Sequence, residues 1–173
     1  MPLFPDEAKN TIEALLFVTN EPLTIKTMAE ILERSPYDVE VLLKEIKADC
    51  EREARGFCLL EVAGGYSFVT RAEYAPYIEK LVKPRLTTLT QAAMETLAIV
   101  AYKQPITRSE IDDIRGVKSD SALNTLIERT LIQEIGRKEG PGRPIIYGTT
   151  QDFLKHFGLK NLGELPSSDT KVS

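Results

Sequence analysis

Few side chains of this sequence are of the types that carry out catalysis. His156 is the sole histidine among the 173 residues, and it lies in the segment QDFLKHF beside an apolar helix face. No second histidine, cysteine or carboxylate accompanies it at metal-ligand spacing, so we interpret it as a surface residue. Cys50 and Cys58 lack a Cys-x-x-Cys spacing and are predicted to be free thiols in a reducing compartment. The sequence therefore predicts no catalytic, cofactor or metal site, and a protein that is not an enzyme.

Three glycines, Gly136, Gly140 and Gly142, superficially resemble a phosphate-binding loop. They lack the Gly-Lys-Ser/Thr ending and lie between two predicted strands rather than before a helix, so we interpret them as a hairpin turn. The same segment contains three basic residues, Arg137, Lys138 and Arg143. Three charges support only weak, salt-sensitive contact with phosphates.

The distribution of charge argues against strong binding to DNA. Residues 1–80 contain 9 Lys and Arg against 15 Asp and Glu, a net charge of −6, and residues 81–165 contain 12 against 10, a net charge of +2. A helix that reads the major groove needs basic and amide side chains on its exposed face. The third predicted helix instead exposes Glu40, Glu45 and Asp49 beside two lysines, so the first half should repel phosphates.

A helix, a break and a second helix organise the chain between residues 94 and 115. The apolar run from Leu97 to Ala101 has helical character, and Pro105 ends it because proline cannot donate the amide that a continuing helix needs. Thr107 is then placed to cap the next helix, with Glu110 three residues later able to bond back to the amide of the cap residue. This spacing predicts a capping box.

The same unit occurs twice, 83 residues apart, because Pro22 aligns with Pro105 and Thr24 with Thr107. Each copy continues with a third helix, two short strands around a glycine-containing turn, and a closing helix. We therefore predict an α+β, mainly α protein with two tandem winged-helix domains, each a helix-turn-helix plus a β-hairpin wing. In the predicted core, Phe17 points inward on the first helix, Ile114 pairs with Ile111, and Ile127 faces in from the third helix of the second copy.

The predicted boundaries place the N-terminal winged helix at residues 6–82, a linker at 83–89, the C-terminal winged helix at 90–166 and a disordered tail at 167–173. The linker is threonine- and proline-containing, and the tail is short and polar. The sequence contains no apolar run of about 18 residues and no signal-peptide pattern at its start, so we expect a cytoplasmic protein.

Two long segments, AYKQPITRSEIDDIRGVKSDSALNTLIERTLI and GRKEGPGRPIIYGTTQDFLKHFGLKNLGELP, resemble the bacterial segregation and condensation protein B (ScpB) family, as does the earlier EALLFVTNEPLT. The resemblance spans roughly residues 8 to 166. It implies a non-enzymatic adaptor subunit of a condensin-like complex with a kleisin (ScpA) and an SMC ATPase, which acts in chromosome segregation and condensation during cell division and is associated with the nucleoid. From the distribution of charge, we expect contact with DNA that is indirect or weak.

The resemblance also implies that the N-terminal winged helix forms a homodimer and that the C-terminal one contacts the kleisin. Alternation along the first wing leaves one of its two faces in need of cover. The expected dimer residues are Leu59, Leu60, Tyr66, Phe68 and Val69. The alternative that the residues leave open is a tandem winged-helix transcription regulator that binds duplex DNA directly, and the acidic third helix disfavours it.

We expect the kleisin contact at the second wing, the closing helix and the segment after it. Pro144 cannot donate to a β-ladder, so we place it at a strand start or on an edge strand, and an edge strand would be open to a partner. Tyr147 is of a type that is enriched at interfaces, and Arg143 could bind an acidic partner. The expected contact residues are Arg143, Pro144, Tyr147, Phe157, Leu162 and Leu165.

Overall fold

The computed structural model describes residues 5–82 and 88–166 of the chain, and its secondary structure is mainly helical with two small antiparallel sheets. The chain divides into two compact units, Met1–Arg85 and Leu86–Ser173. Most of the predicted linker, residues 83–87, and the predicted disordered tail, residues 167–173, lie outside the described residues.

The described part of unit 1, residues 5–82, forms four α-helices and one hairpin. Its elements are α1 (Pro5–Val18), α2 (Ile25–Leu32), α3 (Pro36–Arg52), β1 (Phe57–Val62), β2 (Gly65–Thr70), a 3-10 turn (Ala72–Tyr74) and α4 (Ala75–Val82). Thr24 caps α2 and Ser35 caps α3, each through a side-chain oxygen that accepts from the amide three residues later. The core is apolar and lies between α1, α2, α3 and β1; its least exposed large side chains are Ile12, Met28, Val39, Leu43 and Ile46.

Besides side-chain packing, an isolated backbone bridge joins the hairpin of unit 1 to the segment between α1 and α2. Its turn is made by Ala63 and Gly64, whose φ angles of 50° and 74° suit the two-residue hairpin turn that matches strand twist. The amide of Leu23 donates to the carbonyl of Tyr66 at 2.9 Å, and the amide of Tyr66 donates back at 2.8 Å. A Cβ on Gly65 would lie 2.9 Å from the carbonyl of Leu23, so this approach requires glycine.

Unit 2 repeats this arrangement with a third helix of 9 residues instead of 17. Its elements are α5 (Gln91–Lys103), β3 (Ile106–Thr107), α6 (Arg108–Arg115), α7 (Asp120–Glu128), β4 (Ile132–Arg137), β5 (Ile145–Thr149), α8 (Gln151–Phe157) and a 3-10 turn (Leu162–Glu164). Helix α5 ends just before Gln104 and Pro105, as expected. The capping box is confirmed, because Thr107 and Glu110 each accept from the backbone amide of the other.

The strand order in unit 2 is β3-β5-β4, so β5 is the central strand. Pro144 directly precedes β5, which is the strand-start placement predicted for it, and the alternative of an edge strand open to a partner is wrong. Ile106 on β3 pairs with Tyr147, as Leu23 pairs with Tyr66 in unit 1, so both units join their helices to their hairpin at the equivalent place. The two-residue strand β3 covers the side of β5 that the sequence pattern left open.

Three residues predicted to face the core are exposed. Phe17 is 87% exposed, because it lies about 140° around α1 from the core residue Ile12. Ile114 lies in the last turn of α6, before Gly116 ends the helix, and is 54% exposed. Ile127 follows the buried Leu126 on α7 and is rotated away from it by about 100°.

Candidate partner-binding sites

An apolar groove of about 340 Å³ lies between α5 and α8 in unit 2, and we call it the α5–α8 groove. Met94, Ala98 and Tyr102 follow one another at a spacing of four residues, which places them on one face of α5. All three are exposed, while Val100 on the opposite face is buried and the buried Leu97 lies between the two faces and lines the floor of the groove. Helix α5 is therefore apolar on two sides, and only one of them belongs to the core.

The other wall of the α5–α8 groove is formed by α8 and the segment that follows it. The rings of Phe153 and Phe157 are in contact at a centroid distance of 4.9 Å and an interplanar angle of 48°, and Phe157 is 44% exposed. Gly158 ends α8 with a φ of 65°, which lets the chain turn back along α5. Leu165 and Pro166 then line the groove, and the Tyr102 hydroxyl donates to the Pro166 carbonyl at 2.7 Å.

The structure brings together only some of the six residues expected at the kleisin contact. Phe157 and Leu165 both line the α5–α8 groove, while Leu162 is 40% exposed in the adjacent 3-10 turn. Arg143 and Pro144 are exposed in the turn between β4 and β5. Neither of these two residues lines the groove.

Tyr147 is only 8% exposed, because it sits on the central strand β5 and pairs with both Ile106 and Glu134. Burial raises the pKa of its phenol. A buried tyrosine packs the sheet and cannot serve as an open anchor for a partner. The sequence reasoning did not indicate Met94, Ala98 and Tyr102, because α5 is apolar on two sides and its periodicity does not show which side the core covers.

In unit 1 the two faces of the hairpin can now be distinguished. Leu59 is 4% exposed and belongs to the core of the unit, and Tyr66 and Phe68 pack against that core. Leu60 and Val69 alternate with them and are half-buried on the other face. Of the five residues expected at the dimer interface, Leu60 and Val69 are therefore the two that the fold does not turn toward its own core.

The basic cluster of the second hairpin is partly neutralised within unit 2. The Lys138 ammonium donates to Glu110 at 2.6 Å, and Glu110 also accepts from the amide and the hydroxyl of Thr107 at 2.8 Å each. The bond from Lys138, followed by those from Thr107, lowers the pKa of Glu110 from its ordinary 4.5 to about 2. The cluster therefore presents less free charge to phosphates than the sequence suggested.

This arrangement predicts an acid-sensitive hairpin. Because the folded pKa of Glu110 lies below its unfolded value, its stabilisation is complete above about pH 4.5 and is lost as the pH falls toward 2. We expect Glu110→Gln to reduce the free energy of unfolding at pH 6 and to have little effect near pH 2. Urea unfolding at both pH values measures this. Lys138→Met removes the bond that lowers the pKa of Glu110 most, so in that background the effect of Glu110→Gln at pH 6 should be smaller. An effect of Glu110→Gln that is equal at pH 6 and near pH 2 would contradict the stabilising role of the Glu110 carboxylate.

The described residues contain no group of three His, Cys, Asp or Glu side chains that could hold a metal ion. His156 is exposed, with its ring edge-on to Phe157 at 5.1 Å. Both thiols are free, and burial raises the pKa of Cys50, which makes it a poor nucleophile. Among the described residues, no helix is long and apolar enough to cross a membrane.

Comparison with known proteins gives a consistent result over nearly the whole chain. The model of the segregation and condensation complex subunit ScpB family matches residues 10–168. Segregation and condensation protein B of Desulforamulus reducens is 54% identical over 95% of this chain and 91% of its own, and that of Moorella thermoacetica is 53% identical over 96% and 86%.

Two solved structures are also similar in sequence. The crystal structure of ScpB from Mycobacterium tuberculosis is 38% identical, with a TM-score of 0.46 over 92% of this chain and 99% of that chain. A crystal structure described as a dimer of the ScpB N-terminal domain complexed with ScpA peptide is 39% identical, with a TM-score of 0.42 over 44% of this chain and 95% of that one. From the family match over residues 10–168 and the identity to full-length relatives, the chain belongs to the segregation and condensation complex subunit ScpB family.

Proposed function

We propose that the protein is a homodimeric, non-enzymatic adaptor subunit of a condensin-like SMC–kleisin complex that acts in chromosome segregation and condensation during cell division. It works in the cytoplasm, associated with the nucleoid, and reaches the SMC ATPase through the kleisin. The observation that carries the proposal is the α5–α8 groove in a member of the ScpB family: an open apolar site without a catalytic group among the residues that line it.

Each unit is proposed to be a winged-helix domain. Three helices precede a two-stranded hairpin in both units, and a helix follows the hairpin. In unit 1 the third helix exposes the acidic Asp38 and Glu45 beside Lys44 and Lys47, so it has no basic face. Such a face is unsuited to reading a DNA groove, which needs basic and amide side chains.

The α5–α8 groove is proposed to take an amphipathic helix of the kleisin. A groove lined by Met94, Tyr102, Phe157 and Leu165 accepts apolar side chains that repeat every three or four residues. Leu162 extends this apolar surface, and the exposed Arg143 and Pro144 offer a second, polar contact on the hairpin. Tyr147 supports the sheet beneath them and is not part of the contact surface.

The adaptor function is tested by mixing the purified chain with its kleisin and measuring the mass of the product by light scattering. We expect a complex that contains two copies of this chain. Recovery of the two proteins as separate peaks at tens of micromolar would contradict the proposal.

The chain alone is expected to be a dimer. Half-buried Leu60 and Val69 and strongly exposed apolar residues of unit 1 leave surface that a partner copy can cover. By general interface statistics, the dimer should bury about 1,200–2,000 Å² in total. Light scattering of the chain at about 1 to 50 µM measures the mass. A monomer at all of these concentrations would contradict the expectation.

DNA binding by the isolated chain is expected to be weak. Unit 1 is acidic, and Lys138 of the basic hairpin is paired with Glu110. We expect dissociation constants no tighter than about 1 µM for any short duplex near physiological salt, which is the range of nonspecific binding. Fluorescence anisotropy with duplexes of unrelated sequence measures this. A nanomolar, sequence-selective complex would favour the transcription regulator instead.

A further inference from the structure

A second groove lies in unit 1, between the C-terminal half of α1 and the open end of the hairpin, and we call it the α1–β2 groove. Its volume is about 640 Å³, and its lining includes Phe17, Phe57, Phe68 and Val69. Phe57 and Phe68 meet edge to face at a centroid distance of 5.1 Å. Phe17, at the rim, is 87% exposed. An aromatic groove of this kind is costly to leave in water.

Helix α4 has the opposite property, because it is a short apolar helix without a buried residue. Tyr77 and Leu81 lie one turn apart on one face and are 70% and 83% exposed, and Val82 is 64% exposed. A helix of eight residues is marginal in water by itself and is normally stabilised by packing of its apolar face. Unit 1 therefore contains both an uncovered groove and an uncovered apolar helix.

The groove and the helix are neighbours in the chain. Thr70, the last residue of β2, lines the α1–β2 groove, and α4 begins five residues later at Ala75. In a two-fold symmetric dimer, a contact between surface A of one copy and surface B of the other occurs twice. A helix and a groove that are neighbours in the chain can therefore form two equivalent contacts, in which the helix of each copy covers the groove of the other.

Charge at the rim agrees with a second copy as the occupant. Glu13 and Arg55 border the α1–β2 groove with their charged atoms 3.8 Å apart. Helix α4 contributes one charge of each sign, Glu79 and Lys80, next to its apolar face. Both pairings of opposite charge are therefore available between α4 and the groove, and no net charge is brought into the contact.

We infer that in the homodimer the helix α4 of each protomer lies in the α1–β2 groove of the other, with Tyr77 and Leu81 against Phe17 and Phe57. This inference rests on the homodimer proposed above and specifies its interface. It adds to the dimer surface residues that the hairpin pattern did not indicate. It also gives α4 the packing that its own unit does not supply.

Site-specific cross-linking tests the inference in the full-length chain. Phe17→Cys and Leu81→Cys, each in a Cys58→Ser background, are co-expressed with tags of different length and treated with a short bismaleimide. We expect the covalent heterodimer to be the main product. The matched control replaces Leu81→Cys by Tyr37→Cys, which is also exposed, at 74%, but lies on α3 outside the groove; it should give at least about five-fold less product.

A second variant tests the same contact without cross-linking, through the dissociation constant of the dimer. Leu81→Asp should raise the dissociation constant of the dimer at least about ten-fold, while Tyr37→Asp should change it less than about three-fold. If light scattering reports a dimer but the Phe17–Leu81 pair cross-links no better than the control, the interface lies elsewhere and only this inference fails. A monomer in light scattering would overturn the homodimer as well. Protection of Phe17→Cys from maleimide by the kleisin alone would assign the groove to that partner.

Discussion

Phe157→Ala is expected to weaken binding of the kleisin about 10- to 100-fold, or roughly 1.4–2.8 kcal/mol, which is the range of interface residues that fill a pocket. Phe157 forms the wall of the α5–α8 groove and stays 44% exposed, so its ring is available to a partner. Because half of the ring is already in water, its removal should cost the fold little. Calorimetry with the kleisin measures the affinity, and thermal unfolding measures the stability.

The control for this prediction is Ile135→Ala. Ile135 is exposed to a similar extent, 47%, but lies on β4 outside the residues that line the groove. Its substitution should change the affinity less than about two-fold. Equal effects of the two substitutions would place the kleisin elsewhere on unit 2. Loss of folding in Phe157→Ala would instead return the ring to the core.

Tyr147→Ala is expected to destabilise unit 2 by about 3 kcal/mol, because the substitution removes a buried ring from the central strand and leaves a cavity. Tyr147 is 8% exposed, and β5 has a neighbouring strand on each side, so the sheet has little freedom to close over the gap. Urea unfolding of the full-length chain, followed by circular dichroism, should show an earlier transition for one of the two units.

Two substitutions test whether the loss of stability in Tyr147→Ala comes from the loss of buried packing. Tyr147→Phe keeps the ring, and we expect it to lose less than about 1 kcal/mol, the net value of one hydrogen-bonding group. Tyr102→Ala removes a ring of the same size that is 46% exposed and should cost less than half as much as Tyr147→Ala. A stable Tyr147→Ala variant that no longer binds the kleisin would restore Tyr147 to the contact surface.

Features that depend on local sequence were predictable. The capping box of Thr107 and Glu110 requires only a threonine and a glutamate three residues apart before an apolar run, and the structure contains both of its bonds. The core of α3 was also readable, because Val39, Leu42, Leu43 and Ile46 repeat with helical spacing and all are buried. These elements are determined by residues within one or two helical turns.

Features that depend on distant residues were not predictable. β3 is only two residues long, too short to show alternation, yet it pairs with β5 about forty residues later and turns an expected edge into a central strand. The α5–α8 groove joins residues of α5 to others some sixty positions away. Helix α5 is apolar on two sides, and which side is exposed depends on the elements that pack against it. The periodicity of the sequence alone does not identify those elements.

The isolated bridge between Leu23 and Tyr66 makes the two amides natural reporters in hydrogen exchange. The amides of Leu23 and Tyr66 are both bonded across this junction, at 2.9 and 2.8 Å, so their exchange requires that the hairpin separates locally from the segment between α1 and α2. Their exchange rates should therefore measure the free energy of that local opening, apart from fraying elsewhere in unit 1. A partner that grips both the hairpin and the helices would slow these two amides together, and one that binds the helices alone would leave them unchanged.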